Sequence, residues 1–215
     1  MITKRSEYFR AARSSQWIKD NKRSRLPDDD PTVFSDYVHC LYFGTDDLEA
    51  WIQTDVAKEW AAKGDRNDNA TLEGTAMEGH FSSMQRFIDL YILCDKLLDP
   101  ILANSVIDKL VSFTSKQSWG LNSDLVIHIY ASIADGNPLR WLACDWYMHD
   151  GTHMWPLTLP VKQWAGLPRD FLCDLLVGYA HLQQAHPKGQ IERVFADHPD
   201  LREEGYYHQE VVERK

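Results

Sequence analysis

Leu26-Pro-Asp-Asp-Asp-Pro-Thr-Val-Phe-Ser-Asp-Tyr-Val-His-Cys-Leu-Tyr-Phe-Gly44 decides the fold, together with a second stretch, Phe87-Ile-Asp-Leu-Tyr-Ile-Leu-Cys-Asp-Lys-Leu-Leu-Asp-Pro-Ile-Leu-Ala-Asn-Ser-Val-Ile-Asp-Lys-Leu110. Each carries the marks of helix ends. Asp30 can accept the free backbone N–H groups of a first turn, and Pro31 follows where its missing N–H costs little. Val33, Phe34, Tyr37, Val38, Leu41 and Tyr42 then recur at helical spacing, and Gly44 stops the run. In the second stretch Met84, Phe87, Ile88, Tyr91, Cys94 and Leu98 give a helix over 81–98 one buried side. Asp99-Pro100 starts another helix after a tight corner, carried by Ile101, Leu102, Val106, Ile107, Leu110 and Val111.

Working outward, residues 3–12 read as a short helix with Tyr8, Phe9 and Ala12 on one side, and a short strand could end near Leu26. Between the two stretches lies an insertion, 45–80. It holds a helix through about Ala62 (Leu48, Trp51, Ile52, Val56, Trp60) that Lys63-Gly-Asp-Arg-Asn-Asp-Asn-Ala70 then breaks. Downstream, Asn122 or Ser123 caps a helix bearing Leu125, Val126, Ile129, Tyr130 and Ile133. Gly136 ends it, and Pro138 opens another helix, through Leu139, Leu142 and Trp146, that ends near Gly151. After a Pro- and Trp-containing loop (154–168), Pro168 opens a last helix in which Phe171, Leu172, Leu175, Leu176, Tyr179 and Leu182 are expected to be buried. Residues 186–215 are charged and aperiodic and are expected to be a flexible tail.

Composition narrows the function. Asp plus Glu is 32 against 23 Lys plus Arg, a net charge of -9 over 215 residues. That field disfavours nucleic acid and anionic membranes as partners, and no apolar run approaches bilayer-spanning length. Cys40, Cys94, Cys144 and Cys173 form no CxxC, and the N-terminus has no apolar signal segment. Reduced thiols and an intracellular, nuclear or cytoplasmic, location are therefore expected.

The order of motifs resembles the helical half of a BTB/POZ domain of fungal type. Arg5-Ser-Glu-Tyr-Phe-Arg-Ala-Ala12 is similar to the family's R-S-x-Y-F-x-A helix. Leu26 to Gly44 resembles the following strand end and the helix that closes on L-Y-T-G. Leu90-Tyr-Ile-Leu-Cys-Asp-Lys-Leu97 with Leu102 and Asn104-Ser-Val-Ile-Asp108 is similar to its L-Y-x-L-A-D-K and L-x-N-x-V-I-D helices. Pro138-Leu-Arg140 resembles a turn beyond the core. The resemblance covers residues 2–150 with gaps. It implies a mainly α fold with at most an α+β remnant: a partial BTB/POZ-like domain at 1–114 with the 45–80 insertion, then a C-terminal helical region at 115–185. It also implies a non-enzymatic protein–protein interaction module, one family use being an adaptor between a cullin-type ubiquitin ligase and its substrate. The corresponding contact surface would expose Asp36, His39 and Phe43, with Tyr37 at its edge. The strand, hairpin and first helix that normally precede Arg5 are absent, so the family's homodimer is not expected.

Other chemistry is weaker. Asp145, His149 and His153 form the alternative, a small helical metal-binding protein or hydrolase, because two His four apart can share a helical face. The competing reading is a capped helix end at Asp150-Gly151 with solvated His. Cys94 and Cys173 lie on apolar stripes and read as core thiols, and Cys40 and His39 are helix neighbours that point apart. Gly64, Gly74 and Gly79 make no phosphate loop, so no cofactor is expected. Asp28 to Asp30 read as a helix cap, and Lys19, Lys22, Arg23 and Arg25 as a solvated loop or an import patch. Trp51, Trp60, Trp141 and Trp146 read as core; Trp155 and Trp164 read as contact residues or pins for their loop.

Overall fold

The computed structural model describes residues 5–12, 29–63, 72–115, 121–150, 165–185 and 205–210. Among these residues there are eight helices and no strand: α1 (Glu7–Ala12), α2 (Pro31–Phe43), α3 (Leu48–Lys63), α4 (Leu72–Lys96), α5 (Pro100–Ser115), α6 (Ser123–Ser132), α7 (Pro138–Asp150) and α8 (Arg169–Ala185). The mainly α expectation holds. The strand near Leu26, the basic run 19–25, Trp155, Trp164 and His153 lie outside the described residues.

The chain divides into two compact units, Met1–Leu110 with His208–Lys215, and Val111–Tyr207. In the first, α2, α3 and α4 pack on one another. The polar caps behave as the sequence indicates. Asp30 accepts from the Thr32 N–H at 2.7 Å with Pro31 behind it, and Gly44 closes α2 at φ 86 with its N–H on the Cys40 carbonyl. Val33, Tyr37, Cys40 and Leu41 of α2 meet Met84, Phe87, Ile88, Leu90, Tyr91, Leu93 and Cys94 of α4 in a core with Leu48, Ile52 and Val56 of α3, all buried. The apolar faces that begin after Pro31 and after Phe81 thus share one core. Burying side chains of this size stabilises by about 1.5–3 kcal/mol each.

Both boundaries of α4 differ from the sequence reading. Helix α4 starts at Leu72, nine residues before 81, because Gly74 and Gly79 are taken into the helix rather than breaking it. It ends at Lys96. Leu98 is not on the buried stripe: it is 53% exposed at φ 52. Its N–H reaches the Asp95 carbonyl and the Asp99 N–H reaches that of Cys94, the paired closure of a left-handed C-terminal cap with Leu where Gly is usual. Asp99 then caps α5 by accepting from the Leu102 N–H at 3.1 Å. The corner therefore places two caps in four residues, and Ile101 just beyond it is exposed rather than buried. Helix α1 docks end-on at the same corner. Buried Ser6 donates to the Leu97 carbonyl at 2.6 Å, and the Glu7 and Tyr8 N–H groups point at the Leu98 and Leu97 carbonyls, so a helix N-terminus meets the negative end of α4.

In the second unit α6, α7 and α8 pack on one another. Asn122 is the N-cap of α6, accepting from the Leu125 N–H at 2.9 Å. Helix α6 stops at Ser132, with Ile133 as its buried C-cap, before Gly136 turns the chain at φ 76. Arg140 is buried and binds the carbonyls of Tyr130 and Ile133 and the carboxylate of Asp135, so the Pro138-Leu-Arg140 turn holds the C-terminus of α6 with a cation. Phe171 sits edge-on between Tyr130 and Tyr147. Contrary to the sequence reading, Leu176 is 70% exposed and Cys173 is exposed. The stripe of α8 runs through Phe171 and Leu175 and is narrower than its apolar residues suggest.

Residues 205–210, expected to be part of a flexible tail, are placed. Tyr207 is buried, and its hydroxyl donates to Asp145 at 2.6 Å within the second unit. His208 and Gln209 bind within the first unit.

A candidate protein-contact surface

A buried carboxylate lies at the middle of α2. Asp36 is 0% exposed. Its carboxylate accepts from Arg86 Nε at 2.5 Å and Nη2 at 3.3 Å, and from the indole Nε1 of Trp51 at 2.9 Å. Arg86 reaches on to Asp55 at 3.0 Å and Glu59 at 3.2 Å. One helix face on each of α2, α3 and α4 is thereby joined through a single guanidinium. Burial alone would lower the Arg86 pKa. The bonds to Asp36, Asp55 and Glu59 outweigh it and raise the value, keeping the fork charged. Three carboxylates around one guanidinium leave surplus negative charge at the half-exposed rim formed by Asp55 and Glu59.

On this base stands an aromatic stack. The His39 ring lies 4.2 Å from Trp51, nearly parallel, and 5.0 Å from Phe43; its Nε2 is 3.1 Å from Asp47. Phe43 is 73% exposed, Tyr42 69% and Trp51 39%. The contacts run from Phe43 to His39, Trp51, Asp36 and Arg86, with Phe43 and Trp51 reaching solvent and His39 covered between them. Large aromatic rings held rigidly at a surface, with acidic groups at the rim, have the composition of a protein-contact patch.

This corrects the sequence assignment. Asp36 is not exposed but is the buried anchor of the network. Tyr37 is not at an edge but fully buried, donating to Asp99 at 3.1 Å. Burial and then the Asp99 charge raise its pKa. Periodicity counts Asp as polar and therefore outward; it cannot see a cation fifty residues away. Of the four residues assigned, Phe43 is exposed as expected, whereas the His39 side chain is only 9% exposed, covered between Phe43 and Trp51. Tyr42 and Trp51, read as core, complete the surface patch.

The alternative cluster is described only in part. Asp145 is buried and accepts from Tyr207, and no group of three His, Cys, Asp or Glu among the described residues could hold a metal ion. The side chain of His149 and all of His153 lie outside what is described. Burial pushes the Cys40 and Cys144 thiols up to about 12 and that of Cys94 well up as well; Cys94 is a core thiol as expected, and Cys173 is not. Trp146 is buried as expected, whereas Trp141 is 47% exposed.

No family model, no curated protein and no solved structure matches this chain. No helix among the described residues is long and apolar enough to cross a membrane.

Proposed function

We propose that this chain is a non-enzymatic protein–protein interaction module of the BTB/POZ type, acting in the nucleus or cytoplasm, with α2, α4 and α5 as the family's helical layer. The observation that carries this reading is exposed Phe43, which packs on the His39 ring stacked on Trp51, with exposed Tyr42 beside it and Asp36 and Arg86 anchoring Trp51 below. Exposed aromatic side chains cost solubility, and a stack this well supported loses little conformational entropy on binding. The position also agrees with the resemblance, in which the end of this helix and its following turn meet the partner. A partner suited to it offers an apolar pocket for Phe43 and basic groups for Asp46, Asp47, Asp55 and Glu59. The N-terminal helical region of a cullin-type scaffold is the partner class we propose, which makes the chain a candidate adaptor.

The test is calorimetric titration of the full chain with a purified cullin N-terminal region. Saturable binding that is weakened at least about tenfold by Phe43→Asp is expected, since removing a central aromatic anchor typically costs 2 kcal/mol or more (about). Binding left unchanged by Phe43→Asp would remove the assigned surface, and absence of binding by the wild type would remove the cullin reading.

A further inference from the structure

In the first unit, four polar positions of the Phe87–Leu110 stretch, Tyr91, Asp95, Asn104 and Asp108, converge on residues 208 and 209. Asn104, on α5, grips the backbone of one residue at both ends. Its Oδ1 accepts from the Gln209 N–H at 2.7 Å, and its Nδ2 donates to the Gln209 carbonyl at 3.0 Å. An Asn amide carries one acceptor and one donor side by side, so it can satisfy the N–H and C=O of one residue outside regular structure without reading its side chain. The side chain is read separately. The Gln209 Nε2 donates to the hydroxyl of Tyr91 at 3.0 Å and to Asp95 at 2.8 Å. Beside it, His208 Nε2 lies 2.9 Å from both carboxylate oxygens of Asp108.

The site is built rather than incidental. Tyr91 is fully buried and Asn104 is 8% exposed. The four residues stand at spacings of one helical turn on α4 and on α5, where they face the same segment. Toward the two side chains they present carboxylate and hydroxyl oxygens, so a donor-bearing residue is favoured at each place. Gln offers two N–H donors; Glu offers none and would face Asp95 with like charge. A cap or a stray surface contact would have no reason to bind backbone and two successive side chains at once.

We propose that Tyr91, Asp95, Asn104 and Asp108 form a recognition site for a non-helical peptide segment carrying His-Gln, which the chain's own residues 208 and 209 fill. A partner peptide of that chemistry enters by displacing them. This inference does not rest on the aromatic patch or on the cullin reading.

The experiment uses the full chain and a fluorescein-labelled peptide, Tyr-Tyr-His-Gln-Glu, followed by anisotropy. The wild type, with its site filled, should bind weakly. A full chain carrying His208→Ala and Gln209→Ala should bind at least about tenfold more tightly, since the internal segment then keeps only its backbone bonds to Asn104 and is displaced more easily. Adding Asn104→Asp, which keeps an acceptor for the ligand N–H but sets a second oxygen against its carbonyl, should abolish that gain. A peptide with Glu for Gln should fail on the same protein. Circular dichroism melts check that each variant is folded. If the double variant is not, Gln209→Glu alone replaces it as the opened protein. Equal binding by the wild type and the opened variant, or binding indifferent to Asn104→Asp or to the Glu peptide, would overturn the proposal.

Discussion

Arg86 donates two hydrogen bonds to Asp36 across fifty residues of sequence, and this pair ties α2 to α4 in the interior of the first unit. Both groups are nearly out of solvent. Taking two charges out of water is costly, and the arrangement survives because Trp51, Asp55 and Glu59 supply further partners. Removing one member leaves the other buried and unmatched. Arg86→Met should lower the unfolding free energy by about 3–5 kcal/mol. Adding Asp36→Asn should return part of the loss. Urea unfolding of the single and double variants measures both.

Arg86→Lys should be nearly as damaging as the Met change. A planar fork serves three carboxylates at fixed angles, and a single ammonium cannot. Recovery of wild-type stability by Lys would show that charge alone matters here.

The cap residues give smaller, separable effects. Gly44 sits at φ 86 and ψ -164 with nothing near its missing Cβ, so Gly44→Ala should cost about 1–3 kcal/mol from backbone strain alone. Leu98 is the reverse case, a side chain at φ 52 that is half exposed. Leu98→Gly should be neutral or stabilise by up to about 1 kcal/mol, as relief of left-handed strain exceeds the added freedom of the unfolded chain. Thermal unfolding compares the two.

Asp30→Ala should cost about 1 kcal/mol at neutral pH. The bonds from Thr32 lower the Asp30 pKa below its ordinary 3.8. A carboxylate with a lowered folded value contributes stability above its unfolded pKa and loses it as pH falls through the folded one. The difference between Asp30→Ala and wild type should therefore vanish in strong acid.

The thiols set the alkaline limit. Cys40 is held up at about 12 and Cys94 is raised as well, both chiefly by burial, against an ordinary 9.0. Below pH 9 folded and unfolded chains both keep these protons, and the stability is fully present. Between pH 9 and the raised values only the unfolded chain ionises, so stability falls by about 1.4 kcal/mol per pH unit per thiol. Urea midpoints from pH 8 to 10.5 should decline, and Cys40→Ala should decline less steeply. In the native chain Cys173 alone should react quickly with a thiol-exchange reagent, because Cys40, Cys94 and Cys144 are buried.

Four helix starts were legible because they are written in short-range chemistry, whereas that of α4, with no such cap, was not. Asp30-Pro31, Asp99-Pro100, Asn122 and Pro138 each act where they stand in the chain. The core stripe through Val33, Tyr37 and Leu41 was legible for the same reason, since period alone places it. The candidate patch was half legible. The resemblance implied an outward Phe43, which is exposed, and an outward His39, whose side chain is covered; Tyr42 and Leu98 are apolar residues sent outward by the geometry of a helix end. Asp36 is a polar residue kept inward by Arg86, a partner that no local pattern names. Residues 208 and 209 carry no periodicity at all. Their placement depends on Asn104 and Tyr91, more than a hundred positions away.

The central claim is that a protein partner closes over the Phe43–His39–Trp51 stack. Hydrogen–deuterium exchange of the full chain with and without the purified cullin N-terminal region tests it most directly. Backbone protection on binding should concentrate in residues 39–51 and be missing in Phe43→Asp. A bound complex that protects only other segments, and leaves 39–51 exchanging as in the free chain, would contradict the account.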